Sequence, residues 1–103
     1  MTNQTFYTGD VVWVTDTITN KGRRPHLIIT MKGGIGVVPL THTPQGEWKT
    51  NELGGGTYIA AIDWRTGKSN ALWVTADQCE LYRKQLRDET ITEALHEVAR
   101  QMG

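Results

Sequence analysis

Two short stretches concentrate groups able to handle a phosphate. In Gly22-Arg23-Arg24-Pro25, two guanidinium groups stand just before a proline whose ring fixes the backbone at the expected mouth of a strand. Paired N–H donors match phosphate oxygens, so an arginine held there could stabilise the added charge of a pentacoordinate phosphorane. The plain alternative is a solubilising turn arginine. Val38-Pro39-Leu40-Thr41-His42 ends a strand with a hydroxyl and an imidazole on successive residues. Thr41 can hydrogen-bond a substrate and His42 can move a proton near neutral pH, although an isolated surface histidine is the commoner case.

The charge pattern supports a phosphate-facing zone. Formal net charge is zero, which argues against an electrostatic binder of long nucleic acid. Between residues 17 and 46, however, no Asp or Glu occurs, while Lys21, Arg23, Arg24, Lys32, His26 and His42 all do. Such a window suits phosphate, and it is equally what solvated loop charge looks like.

Other chemistries find little support. One cysteine and three scattered histidines give no close ligand pair for zinc, so no metal is expected. The glycines flank strands rather than opening a helix, which leaves no Walker-type loop or dinucleotide fingerprint, and no cofactor is expected. Glu89, Glu93 and Glu97 recur every four residues and read as a solvated helix face. Trp48, in a polar loop, could stack on an unpaired base or anchor the loop. Trp13, Trp64 and Trp73 read as packing.

The elements that must position these groups are mostly strands. Residues 10–15, rich in β-branched and aromatic side chains after Gly9, predict a first strand; a turn region covers 16–24, and a second strand covers 25–30. Pro25 suits a first strand position. Residues 35–40 predict a third strand, 44–56 a long loop, 57–63 and 70–75 two more strands joined by a tip at Arg65 and Gly67, and 78–82 a short last one. From Asp88 to about 102 the spacing becomes helical, with Ile91, Leu95, Val98 and Met102 on one stripe, and Asp88 or a Thr90–Glu93 box as its cap. Short strands and glycine-rich turns before one helix predict a mainly β domain, a small barrel with a C-terminal α-helix, spanning 1–103 as a single unit. The lone Cys79, the lack of an apolar run after a basic start, and the lack of any stretch near the ~20 residues of a membrane helix predict a cytoplasmic protein without a membrane role.

Four motifs fall in the order found in the MazF/PemK-like toxins, the endoribonuclease half of bacterial toxin–antitoxin pairs. They are Gly9-Asp-Val-Val-Trp-Val14, Gly22-Arg-Arg-Pro-His-Leu-Ile-Ile29, Val37-Val-Pro-Leu-Thr41 and Ala76-Asp-Gln78, and the tail from Leu86 resembles that family's closing helix. The resemblance implies an SH3-like barrel of the MazF/PemK/CcdB-like kind. It also implies a homodimer, a cognate antitoxin, and metal-independent cleavage of single-stranded RNA to 2′,3′-cyclic phosphate and 5′-hydroxyl ends. On this resemblance Arg24 and Thr41 are the catalytic residues, while Asp77 and Gln78 contact RNA. Lys21, Arg23, Trp48 and Arg65 are added as RNA-binding candidates, and His42 as a supplementary acid or base, from their chemistry. The first loop is shorter than usual in the family, and Thr75 stands where some members carry arginine. Both departures leave room for a non-catalytic SH3-like binding module acting on a protein target such as gyrase.

Overall fold

The computed structural model of the chain describes residues 5–16, 22–41, 58–59, 67–82 and 88–102. Among the described residues are six strands and a helix: β1 (Val11–Asp16), β2 (Gly22–Thr30), β3 (Ile35–Thr41), β4 (Tyr58–Ile59), β5 (Leu72–Val74), β6 (Glu80–Leu81) and α1 (Asp88–Met102), with a 3₁₀ turn at Ala76–Gln78. The protein is thus mainly β with a C-terminal helix. The strand pairs among the described residues are all antiparallel, in the order β4-β3-β2-β1-β6, with β5 also on β3. No pairing among the described residues closes this sheet into a ring.

The apolar runs of β1 to β3 are continuous rather than alternating because both faces of the central sheet are covered. Val11, Leu27, Val38 and Leu40 point to one face, where they meet Ala94 and Val98 of α1, with Ile91 and Leu95 packed alongside. Val12, Val14, Ile28, Ile35 and Val37 point to the other, where Phe6 and Val74 cover them. Gly9 makes the helix's approach possible. Its φ of +97° suits a residue without a side chain, and a Cβ there would lie 3.2 Å from Ile91 Cγ2. Asp10 holds the same entry turn, its Oδ2 accepting from Tyr7 N–H at 2.9 Å.

The sheet must curve. β5 lies on the outer side of β3 and β6 on the outer side of β1, so in a flat sheet four strand spacings, roughly 19 Å, would separate them. The link from Val74 to Glu80 contains a three-residue 3₁₀ turn and reaches only about 16 Å. Curvature brings the two edges together, and residues of β1, β2, β5 and β6 line one shared groove.

Several expected boundaries shift. β2 begins at Gly22, not Pro25, so Arg23 and Arg24 lie inside a strand instead of a turn. The cause is the β1 ladder, which continues through Val14↔Arg24 and Thr15↔Arg23 to Asp16↔Gly22. Pro25 is tolerated within it because Ile28 exchanges hydrogen bonds with the β1 side through Gly9 and Asp10, which turns residue 25 toward β3. There the β3 ladder starts only at His26↔Pro39. Of the strand expected at 57–63, Tyr58–Ile59 is described and the rest lies outside the described residues; 70–75 narrows to Leu72–Val74 and 78–82 to Glu80–Leu81. Helix α1 has the expected extent, and Glu89 and Glu93 are exposed on it. Near its end Arg100 pairs with Glu97 one turn earlier. The expected caps at Asp88 and Thr90 lie outside the described side chains.

Trp73 corrects the packing expectation. It is 64% exposed, because Leu72 and Val74 face inward and strand alternation turns the residue between them outward. Trp13 is half-buried beside Tyr82, with ring centroids 5.0 Å apart, and Trp64 lies outside the described residues.

Candidate functional site

Arg24 and Thr41 come from neighbouring strands. The β2–β3 register pairs Leu27 with Val38 and His26 with Pro39, and carried two residues outward it brings Arg24 level with Thr41. Residues two apart on a strand share a face, so Arg24, His26, Pro39 and Thr41 belong to the side of the sheet that carries Val12 and Val14. Arg24 is half-buried and Thr41 is only 6% exposed. A hydroxyl so covered serves as a fixed hydrogen-bonding point.

His26 is the residue that sequence reasoning placed only in the general positive window. It is 1% exposed, and its Nδ1 lies 2.9 Å from the carbonyl oxygen of Arg24. A carbonyl can only accept, so Nδ1 carries the proton and donates, which in a neutral ring leaves the lone pair on Nε2. The bond ties the imidazole to the backbone of Arg24. The signal of His26 in the sequence was its spacing, two residues after Arg24 on the same strand.

Arg23 faces the other way. It sits opposite Thr15 and donates from Nη2 to Glu80 Oε2 at 2.6 Å. Both side chains are more than half exposed, so the pair contributes little stability, about 0–1 kcal/mol, while compensating the charge of Arg23.

Asp77 and Gln78 belong to the 3₁₀ turn. The Thr75 hydroxyl donates to Asp77 Oδ1, and Thr75 N–H donates to Gln78 Oε1 at 2.8 Å, in the manner of a cap. Gln78 therefore presents its opposite, N–H-bearing end as the available donor. Both residues line a groove of about 720 Å³ together with Arg23, Trp73, Cys79 and Glu80. The Cys79 thiol has its pKa raised by burial and, secondarily, by the negative charge of Asp77, and its Sγ lies 3.5 Å from the carbonyl of Thr75.

The structure thus brings Arg24 and Thr41 to one face and gathers Arg23, Asp77 and Gln78 around one groove. Lys21, His42, Trp48 and Arg65 lie outside the described residues. Among the described residues, no group of three or more His, Cys, Asp or Glu side chains could hold a metal ion, and no helix is long and apolar enough to cross a membrane. Compared with protein-family models, curated proteins and solved structures, the chain matches none of them.

Proposed function

We propose that this protein is a metal-independent endoribonuclease of the MazF/PemK-like toxin kind, cutting single-stranded RNA as a homodimer of SH3-like barrels and neutralised by a cognate antitoxin. The observation that carries the reading is the placement of Arg24 and Thr41 on one face of adjoining strands, with the Arg24 backbone held by buried His26. The curvature of the sheet supports the barrel, since the short link from β5 to β6 draws its outer edges together.

In this reading the 2′-hydroxyl of the RNA is the nucleophile. Its oxygen bonds to phosphorus and loses its proton, the bond from phosphorus to the 5′-oxygen breaks, and that oxygen takes up a proton. A 2′,3′-cyclic phosphate and a 5′-hydroxyl result. Arg24 remains protonated throughout and stabilises the charge gathering on the phosphorane oxygens. Thr41 aligns the phosphate through a hydrogen bond, and alignment alone removes much of the entropic barrier. His26 is too enclosed to exchange protons with substrate, so the proposed proton acceptor is His42, next to Thr41 in the chain.

The test is incubation of the purified chain with a defined single-stranded RNA in the presence of a chelator, followed by end-group analysis. Cyclic phosphate and 5′-hydroxyl ends at a recurring short sequence are the expected products. RNA that stays intact with and without chelator rejects the nuclease reading. A second reading, a non-catalytic module that binds a protein, is favoured by the burial of Thr41 and by the compensated charge of Arg23. It predicts one stoichiometric protein partner and biological activity that survives Arg24→Ala.

A further inference from the structure

The groove between the edges of the curved sheet holds an aromatic platform. Trp73 lies opposite Gly36 in the β3–β5 register, and its ring sits over Gly34 and Gly36, where added Cβ atoms would come within 3.3 Å and 3.4 Å of it. The absence of side chains at both positions seats one side of the indole on backbone, while the residue as a whole stays 64% exposed. This is a tryptophan resting on the sheet with area left over.

The groove's polar groups narrow the occupant. Among the described residues that line it, the one arginine, Arg23, is paired with Glu80. Glu80 is engaged with Arg23, and the Thr75 hydroxyl occupies Asp77 Oδ1. Besides Thr15 and Cys79, the described lining offers an aromatic face, a second carboxylate oxygen on Asp77 and the amide N–H groups of Gln78. That set suits a flat, uncharged heterocycle whose edge carries both N–H donors and acceptors. Arg23 and Trp73 lie on the face opposite to that of Arg24 and Thr41, and the groove reaches toward them only at Val14, which lines it and is paired with Arg24.

We infer that the Trp73 groove is a base-binding subsite, in which the indole stacks on one unpaired nucleobase and Asp77 with Gln78 reads its edge. Guanine is the best match, because its neighbouring N1–H and N2–H groups both donate toward a carboxylate while O6 accepts from an amide. The inference rests on the nuclease reading for its substrate, and it assigns Trp73 and the groove to recognising a base away from the cut, on the opposite face of the sheet from Arg24 and Thr41.

The probe is a set of fluorescein-labelled 2′-O-methyl RNA oligomers, which cannot be cleaved, differing only in the base at one unpaired position. Binding to the full chain is followed by anisotropy. Trp73→Ala is expected to weaken binding of the guanosine oligomer roughly 5- to 100-fold, the size of one lost stacking contact, and Trp73→Phe to restore most of it. Asp77→Asn is expected to reduce the preference for guanosine. Because Trp73 also covers two glycines, a second measurement uses the unaltered protein: bound guanosine oligomer should slow alkylation of Cys79, which lines the same groove. Equal affinity of Trp73→Ala and the original protein, no protection of Cys79, or a protein occupying the groove while RNA does not, overturns the inference. The two proposals separate cleanly. Binding through Trp73 without cleavage of ordinary RNA sinks only the nuclease reading, and cleavage unaffected by Trp73→Ala sinks only the subsite.

Discussion

Replacing Arg24 and Lys32 by alanine, one at a time, distinguishes a positioned guanidinium from a generally positive surface. Both residues belong to the stretch of the chain without carboxylates. Arg24 lies near the start of β2, on the face shared with Thr41, whereas Lys32 follows the far end of the same strand, its N–H bonded to Thr30 Oγ1 at 3.1 Å. Six residue steps from Arg24 to Thr30 at about 3.3 Å each put roughly 20 Å between the two ends. That exceeds two Debye lengths of about 8 Å at physiological salt, so the Lys32 charge is largely screened at the site. Lys32→Ala should therefore alter the cleavage rate less than about twofold. On the nuclease proposal, Arg24→Ala removes a donor aimed at transition-state charge and should slow cleavage about 10²–10³-fold, equivalent to about 2.7–4 kcal/mol. Arg24→Lys should fall between, keeping the charge but losing the planar fork. The assay is single-turnover cleavage of a defined single-stranded RNA, with thermal unfolding recorded for each variant. Equal losses from the two alanine variants, or an Arg24→Ala rate within about threefold of the original, would refute the geometric reasoning.

Other expectations follow from local contacts. His26→Phe preserves a buried ring but removes the Nδ1–H donated to the Arg24 carbonyl, and urea unfolding should show a loss of about 1–3 kcal/mol; an unchanged midpoint denies that bond any role. Gly36→Ala places a Cβ 2.7 Å from Thr30 Cγ2, so overpacking of about 1–3 kcal/mol should outweigh the roughly 0.5–1 kcal/mol gained by replacing glycine in a strand. Adding Thr30→Ser, which keeps the hydroxyl and deletes that methyl, should recover most of the loss, and failure to do so places the strain elsewhere. Cys79 should alkylate more slowly than a free cysteine at pH 7, and its rate should rise at higher pH than for a free thiol, because burial and Asp77 both favour the protonated form; reaction at or above the free-thiol rate contradicts this.

The sequence by itself determined the class of the fold and the chemistry on offer. Runs such as Val11-Val12-Trp13-Val14 and Leu27-Ile28-Ile29 are strand-forming whatever surrounds them, and the change to helical spacing after Asp88 predicted α1 with its observed extent, since apolar periodicity is a local property of the chain. Strand ends were less legible. Pro25 reads locally as a beginning, and only pairing with β1 carries β2 back to Gly22 and sends Arg23 and Arg24 to opposite faces. Tertiary structure alone decided that His26 is buried behind Arg24, that Trp73 is a surface platform and not core, and that Asp77, Gln78 and Arg23 share a groove. These are relations between strands far apart in the chain. They depend on register and sheet curvature, which arise when two buried faces must be filled together, and no local window of residues contains that information.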